Sequence, residues 1–320
     1  MDITSRRKAL QMLGGLGGLG VFALLGNGCG AGTTSSGGSG NSSDSDAGGS
    51  GAASDNDSGS GSSASDSGSG ATTDSSTTGI SDAGLDASGF AVGSGAFLTG
   101  KDYGDPFAAG VGTTCTVFGS ATEGPCHSNT YLRQEMTDGL IGLPTRIELL
   151  VVDASCNPVP GAIVEIWYAS PAGTYSKAAE AIDAGTGYGG SLSDLNVGFC
   201  TGNDATATAS KWLRAYQVAD ANGRVTFDSI FPGWYRGRST HVHFIVTANG
   251  KQSVVSQLAF DETLTTAVYT KHGSYSSRGN KDTTNAQDNV FSGLGAATAL
   301  MAWAQQSDGA LVCWKAITVA

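Results

Sequence analysis

Basic residues are scarce in this 320-residue chain, which has 17 Lys and Arg against 28 Asp and Glu and a formal net charge of −11. Nothing in this balance argues for binding of nucleic acid, which would require a basic face. Residues 30–89 supply eight Asp and no Lys or Arg. From residue 90 onward, 14 basic and 19 acidic residues leave a net charge of about −5, which is ordinary for a soluble domain.

Residues 30–89 also lack aromatic side chains and consist almost wholly of Gly, Ser, Thr, Ala, Asp and Asn. Such a segment cannot bury enough apolar area to offset the loss of chain entropy on folding. We therefore predict three parts: an export signal at 1–29, a disordered linker at 30–89 and a folded domain at 90–320.

The N-terminus lacks an apolar run long enough for a comfortable transmembrane helix. It has Ser5-Arg6-Arg7-Lys8 followed by a glycine-rich, mildly apolar stretch at residues 10–25, which is the layout of a signal peptide. The paired arginines resemble a twin-arginine export signal. An ordinary Sec signal with two chance arginines is the alternative, and both readings predict export.

Cys29 ends this region, immediately before the flexible tract. A cysteine in this place resembles a bacterial lipoprotein attachment site, although Leu25 lies four residues before it and Asn27 is bulkier than usual. We expect a lipid anchor at Cys29 and a protein of the cell envelope, periplasmic or surface-exposed. Cleavage nearby, giving a freely secreted protein, is the alternative.

Cysteine pairs of the CxxC type are absent, which argues against a structural zinc site. In an oxidising compartment, the five cysteines of the body can form two disulfides and leave one thiol. The sequence does not decide their pairing. They are Cys115, Cys126, Cys156, Cys200 and Cys313.

Long helical periodicity is also absent. From about residue 114, short runs of β-branched and aromatic residues alternate with Gly, Pro, Asn and Asp, which predicts an all-β domain, a β-sandwich. We expect strands at 146–153, 162–168, 241–247 and 253–260, and a hairpin from 213–218 through 220–223 into 225–227. The only helical turn expected lies around 296–305.

The segment 231–244, FPGWYRGRSTHVHF, carries the densest chemistry. On a strand, residues two apart share a face, so His241 and His243 present two imidazoles together while Val242 and Phe244 point to the opposite layer. This arrangement suits a metal, although two histidines on a half-exposed sheet face would give the same pattern.

Tyr235 lies six residues before His241, after a Pro-Gly turn that can direct its phenol toward the same place. A phenol becomes a good ligand only when a strongly Lewis-acidic ion lowers its pKa from about 10. Phenolate with imidazole therefore favours Fe(III) over zinc or calcium. A packed tyrosine at a sheet corner is the alternative for this residue taken alone.

These residues resemble the iron-binding core of intradiol ring-cleavage dioxygenases, the family of catechol and protocatechuate dioxygenases. Other segments resemble the family in the same order, from about residue 117 to the C-terminus. They are TEGP at 122–125, NPVPGA at 157–162, EIW at 165–167, AGTYS at 172–176, WLR at 212–214, DANG at 220–223, SQL at 256–258, Tyr275 and DTTNAQD at 282–288.

The resemblance implies one Fe(III) per chain with Tyr175 and His243 as equatorial ligands and Tyr235 and His241 as axial ligands. It implies that a catechol and O2 are the substrates and a cis,cis-muconate-type diacid the product. In that mechanism Tyr235 leaves the metal and accepts a substrate proton. Whether the chain forms an oligomer is left open.

The resemblance also implies roles for two outer residues. Arg238 would stabilise the electron-rich ring with its positive fork, unless it is a surface arginine in a salt bridge. Gln257 would lie near the metal-bound oxygens, with a packing role as the alternative.

Two departures from the family pattern concern the expected pocket. Cys126 and His127 stand where an aromatic residue is common, and Tyr168 follows Trp167 where histidine is common. We expect Tyr168 near the pocket, and His127 either in the pocket or, as favoured here, exposed.

Two other functions compete with this reading. A non-catalytic β-sandwich module of exported proteins shares the turn pattern but lacks the Tyr/Tyr/His/His set. An exported copper or zinc binder would use His241 and His243 without the tyrosines.

Overall fold

The computed structural model describes residues 84–178, 187–189 and 195–320, with only the backbone considered for 187–189. The predicted export signal, Cys29 and nearly all of the predicted linker lie outside these residues. The boundaries proposed for those segments therefore stay predictions. Among the described residues, no helix has the length and apolar character needed to cross a membrane.

Strands outnumber helices among the described residues. The strands are β1 (Asn129–Tyr131), β2 (Pro144–Val152), β3 (Ile163–Trp167), β4 (Gly187–Gly189), β5 (Arg214–Val218), β6 (Arg224–Ile230), β7 (His241–Ala248), β8 (Lys251–Ala259), β9 (Ala302–Gln305) and β10 (Leu311–Thr318). The helices are a 3-10 turn at Gly95–Leu98 and α1 (Val197–Thr201), α2 (Ala205–Ala209), α3 (Glu262–Lys271), α4 (Gly273–Ser276), α5 (Asn289–Leu294) and α6 (Ala296–Ala299).

The strands form two four-stranded sheets and a small two-stranded one. One sheet has the order β6-β2-β10-β9 and the other β5-β3-β7-β8, while β1 pairs with β4. Every pairing is antiparallel except that of β10 with β2. The prediction of a β-rich domain is confirmed.

Apolar residues from both large sheets meet in one core. Ile147 and Phe227 contribute from β2 and β6, and Ile166, Val242 and Phe244 from β3 and β7. Every residue of β7 is buried, as expected for a strand paired on both edges. The alternation predicted for this strand is observed: Val242 and Phe244 belong to the core, which leaves His241 and His243 for the opposite face.

One prediction about local structure is wrong, and another is confirmed only in part. Strands β5 and β6 do not form a hairpin, because β5 pairs with β3 in one sheet and β6 with β2 in the other. The turn at 220–223 therefore carries the chain between sheets. The helical turn expected around 296–305 is present as helix α6, but this helix ends at Ala299 and edge strand β9 follows at Ala302.

Helix α3, the longest helix of the described residues, was not predicted. Its sequence, ETLTTAVYTK, is rich in β-branched residues, which have modest helix propensity. Its start is fixed by Asp261, whose side chain accepts hydrogen bonds from the backbone N–H groups of Thr263 and Leu264.

The structure contains two disulfides, Cys115–Cys156 and Cys126–Cys200. Cys313 is a free, buried thiol. Two bonds and one spare thiol were expected, and the structure supplies the pairing that spacing could not.

Candidate metal centre

The side-chain donor atoms of Tyr175, Tyr235, His241 and His243 converge on one place. His241 Nε2 lies 3.3 Å from Tyr175 Oη, 3.1 Å from Tyr235 Oη and 3.1 Å from His243 Nε2. The distance from His243 Nε2 to Tyr175 Oη is also 3.1 Å. The structure thus brings together the four residues that the sequence proposed as ligands.

Strand β7 supplies the two histidines at its first and third positions, and its register places His243 between Trp167 of β3 and Gln257 of β8. Arg214 of β5 pairs with Trp167 in the same row. Since directly paired residues in a sheet share a face, the four side chains of this row lie side by side along the site.

The two tyrosines come from loops that contact each other closely. A Cβ at Gly233 would collide with the carbonyl oxygen of Ser170, and one at Gly173 with that of Trp234. Glycine at both positions lets the backbone before Tyr175 approach the backbone before Tyr235. This contact brings the two phenols to the same site.

Hydrogen bonding fixes the tautomer of His241. Its Nδ1 lies 2.6 Å from the carbonyl oxygen of Ser239 and donates to it, so Nε2 carries the lone pair that faces the other three donors. Burial lowers the pKa of His241 to about 3, and the charge of Arg238 acts in the same direction. The imidazole is therefore neutral at physiological pH and ready to bind a cation.

His243 is held differently. Its ring is stacked on Trp167, with the centroids 5.0 Å apart and the planes at 12°. On the TEGP loop, a Cβ added at Gly124 would lie only 3.2 Å from His243 Cε1. Burial, followed by the neighbouring His241, places the pKa of His243 well below its ordinary value, so this imidazole is also neutral.

Both phenols are hard to ionise in this setting. Burial raises the pKa of Tyr175 well above 10, and the nearby Tyr235 adds to the shift. Burial also raises the pKa of Tyr235, although Arg238 opposes it. Without a cation the site is a neutral cluster, and a strongly Lewis-acidic cation is needed to make these phenols phenolates.

The donor set fits such a cation. Two neutral imidazoles and two phenols converge. Among the described residues, the group that accepts the hydrogen bond from His241 Nδ1 is a backbone carbonyl. No cluster of three or more His, Cys, Asp or Glu side chains that could hold a metal occurs among the described residues. A metal that takes more than the two histidines as protein ligands at this site must therefore use the tyrosines.

Arg238 and Gln257 lie beside the four donors. Arg238 Nη1 lies 3.5 Å from Tyr235 Oη, and its Nη2 donates to Gln257 Oε1. Gln257 Nε2 donates to the carbonyl oxygen of Thr122 at 3.0 Å, which ties β8 to the TEGP loop. Arg238 is thus no isolated surface residue, since its side chain is only 17% exposed.

Asp288 and Phe199 are site residues whose roles the sequence reasoning missed. Asp288 is fully buried and accepts a 2.8 Å hydrogen bond from Arg238 Nε. Phe199 on α1 is 59% exposed and packs edge-on against Tyr235, with ring centroids 6.2 Å apart. Asp288 had been noted only as part of a family-like string, and nothing in the sequence around Phe199 indicated its contact.

Both expectations about the departures from the family pattern are wrong. His127 is buried, because Glu123 and Glu165 flank its two ring nitrogens and Trp167 covers its ring. Tyr168 lies in the opposite core, where its hydroxyl is hydrogen-bonded to Ser229 Oγ and to the carbonyl oxygen of Ile230. Adjacent strand residues point to opposite faces, so Trp167 and Tyr168 cannot both face the site.

Residues 117–270 match the model of the family described as Dioxygenase, a range that includes all four converging donors. The solved structure of an intradiol ring-cleavage dioxygenase from Tetranychus urticae is similar, with 26% identity, a TM-score of 0.53 and coverage of 64% of this chain and 94% of that one. A second dioxygenase structure shows 25% identity, a TM-score of 0.52 and the same coverages. Among curated proteins, no sequence matched this chain.

The family match identifies residues 117–270 as a dioxygenase domain. Within that class, the domain is similar to the intradiol ring-cleavage dioxygenases. The protein is therefore an enzyme, a dioxygenase.

Proposed function

We propose that this chain is an exported β-sandwich enzyme that binds one Fe(III) and uses O2 to cleave a catechol between its two hydroxylated carbons. The product would be a cis,cis-muconate-type diacid. The observation that carries the proposal is the convergence of two phenols and two neutral imidazoles, with neighbouring donor atoms 3.1–3.3 Å apart.

Tyr175, Tyr235, His241 and His243 would hold the iron. When bound, Fe(III) would supply the Lewis acidity that ionises the two phenols and makes a catechol reactive toward O2. The donor set suits a ferric ion because burial raises the pKa of both phenols further above 10, so that only a strongly Lewis-acidic cation can bind them as phenolates.

The two tyrosines differ in a way that suits different roles. Tyr175 is 2% exposed and its backbone N–H donates to the carbonyl oxygen of Cys200 at 2.7 Å, so it is fixed in the protein. Tyr235 is half-buried and follows a turn. We assign to Tyr235 the acceptance of a substrate hydroxyl proton at Oη, because it is the phenol that an incoming ligand can reach.

Arg238 would stabilise negative charge on the bound ring. Its guanidinium is positive, oriented by Asp288 and Gln257, and adjacent to Tyr235 Oη. A cation that is already fixed costs no reorganisation when charge develops on the substrate. Gln257 would act by binding both the Arg238 guanidinium and the Thr122 carbonyl oxygen.

The two disulfides support export. Disulfides form and persist in oxidising compartments such as the periplasm or the extracellular space. The twin-arginine signal, the lipid anchor at Cys29 and a location in the cell envelope remain part of this proposal.

A copper or zinc binder is the second candidate. Metal content, the visible spectrum and O2 uptake distinguish it from an iron-dependent dioxygenase. The purified domain should contain a single iron and absorb visible light through Fe(III)–tyrosinate, and it should consume O2 with at least one member of a catechol panel. A colourless protein that fills with zinc and does not respond to ferric loading would refute the proposal. Coloured, iron-loaded protein without O2 uptake on any catechol would leave an iron-binding module.

A further inference from the structure

The two histidines of the site are oriented by different means. His241 is fixed by its Nδ1 hydrogen bond to the Ser239 carbonyl. Nδ1 of His243 is buried and has no hydrogen-bond partner among the residues that the structure describes. A metal-binding imidazole usually donates this second nitrogen to a carboxylate, carbonyl or water, which sets the plane of the ring. For His243 some other contact must do so.

That contact is the indole of Trp167. It lies nearly parallel to the His243 ring, and the two residues are directly paired between β3 and β7. Gly124 covers the imidazole near Cε1. The His243 ring therefore cannot rotate about its Cβ–Cγ bond unless Trp167 or the TEGP loop moves.

Trp167 is in turn backed by His127. The ring centroids of these residues are 4.3 Å apart and the planes are tilted by 32°. The order His127, Trp167, His243 is thus a stack of three aromatic rings, of which only the last faces the other donors. Aromatic rings in such stacks prefer defined separations, so the position of His127 affects the positions of Trp167 and His243.

His127 is held from both sides of its ring. Nδ1 contacts Glu123 Oε1 within the TEGP loop, and Nε2 lies 3.4 Å from Glu165 Oε2 on β3. Glu165 is 1% exposed and also accepts a 2.9 Å hydrogen bond from Thr130 Oγ1. A buried carboxylate is costly unless it is paired, so this cluster ties three segments of the chain to one imidazole.

We propose that His127 is a positioning residue for the metal centre: clamped by Glu123 and Glu165, it presses Trp167 onto His243 and fixes the plane of that imidazole. The inference rests on the proposed iron site, since it states what holds one of its ligands. His127 itself contacts neither the substrate nor the other three donors.

The test compares three variants of the full domain. His127→Ala removes the stack and the carboxylate contacts, His127→Gln keeps hydrogen-bonding groups without an aromatic ring, and His127→Phe keeps a ring against Trp167 without the carboxylate contacts. Iron affinity is measured by competition with a chelator, together with the tyrosinate absorption band and the melting temperature of the metal-free protein.

His127→Ala and His127→Gln should weaken iron binding by about 10–100-fold, the usual effect of losing an outer contact to a metal ligand. They should also shift the absorption band. His127→Phe should recover most of the affinity and the wild-type band although it lacks both carboxylate contacts.

His272→Gln is the matched control. His272 is fully buried and bonded to the carbonyl oxygen of Ala91, and its ring packs on Tyr275 rather than on the site. This variant should lower the melting temperature without changing iron affinity or the band.

The inference is overturned if His127→Ala binds iron as tightly as wild type. It is also overturned if affinity follows melting temperature across all four variants, since His127 would then be only structural. Should His127→Phe not fold, Trp167→Phe against Trp167→Leu gives the same comparison, with the aromatic variant retaining iron. A wild-type protein that takes up no iron refutes the proposed function instead.

Discussion

The carboxylate of Asp288 holds the guanidinium of Arg238. Asp288 Oδ2 lies 2.8 Å from Arg238 Nε and also accepts the backbone N–H of Ser239 at 2.8 Å. The other oxygen accepts the N–H groups of Val290 and Phe291 at the start of helix α5. One buried side chain thus joins helix α5 to the loop that carries the site arginine.

This relationship predicts a large effect of Asp288→Asn. The amide keeps the shape but leaves Arg238 without its counter-charge. Removing one partner of a buried ion pair lowers the free energy of unfolding by about 3–5 kcal/mol. For Asp288→Asn we expect a loss of about 2 kcal/mol, because Arg238 is partly exposed. Turnover should fall at least about tenfold while iron content stays unchanged, because Asp288 orients Arg238 and not a metal donor.

Chemical denaturation and O2 uptake would check this prediction. Asp105→Asn is the control, because Asp105 pairs with Arg224 at the surface and away from the site. Its turnover should equal that of wild type. Wild-type turnover in Asp288→Asn would show that the orientation of Arg238 does not matter for the reaction.

Tyr235→Phe should separate metal binding from proton transfer. Three donors remain, so the variant should keep iron and the absorption band from Tyr175. The missing phenol oxygen can no longer accept a substrate proton, and general-base contributions of this kind are about 10²–10⁴ in rate. Stopped-flow absorbance with a catechol would measure the slowed binding step.

Tyr175→Phe is the comparison for that prediction. It should change the colour of the protein before any substrate is added, because Tyr175 is the buried, fixed phenol. Unchanged substrate-binding kinetics in Tyr235→Phe would remove Tyr235 from the role of proton acceptor.

The sequence predicts the placement of the candidate donors well where they are close together in the chain. The two-residue period of a strand is enough to place His241 and His243 on one face and Val242 and Phe244 in the core. Tyr235 lies on the same short segment. Tyr175 was reached only through the resemblance, because it is 66 residues from His241.

Contacts between distant segments could not be predicted from the sequence. Glu165, which pairs with His127, is 38 residues away, and Asp288 is 50 residues from Arg238. The exposure favoured for His127 was wrong, because Glu165 and Trp167, which bury it, lie in another segment of the chain. The hairpin predicted for β5 and β6 failed for the same reason, since the partner strands lie elsewhere in the chain.

The stability of the metal-free domain should depend on His127 above pH 6.5. Burial lowers the pKa of His127, but Glu123 and Glu165 raise it, and the net shift is upward. A raised pKa adds stability that is fully present below the unfolded value of about 6.5 and is lost as pH rises through the folded value. Within this window the unfolding free energy should fall by up to about 1.4 kcal/mol per pH unit.

The other two histidines of the site do not titrate in the pH range above 6.5. The pKa values of His241 and His243 are lowered in the folded state, so their contribution to stability is lost below pH 6.5 rather than above it. Urea denaturation from pH 6.5 to 9 should show the falling stability in wild type and not in His127→Phe. Equal pH dependence in both proteins would mean that His127 is not protonated when folded.

The disulfide Cys126–Cys200 should matter for the metal centre as well as for stability. Cys126 follows the TEGP loop, whose Gly124 lies against His243, and the carbonyl oxygen of Cys200 accepts the N–H of Tyr175. Replacing both cysteines with Ser should cost about 2–4 kcal/mol of unfolding free energy. Iron affinity should also fall by about tenfold or more, because the segments that position His243 and Tyr175 are no longer linked to each other.

The second disulfide provides a matched control for this last prediction. Cys115–Cys156 spans 41 residues against 74 for Cys126–Cys200, and on loop entropy the two bonds differ by only about 0.5 kcal/mol. Cys115 packs beside Leu150 and Val152, in a cluster that contains none of the four donors. The double Ser variant at Cys115 and Cys156 should therefore lose a similar amount of stability and keep wild-type iron affinity in a chelator competition. If both double variants lose iron equally, the effect is general destabilisation; if neither loses iron, the disulfide does not support the site.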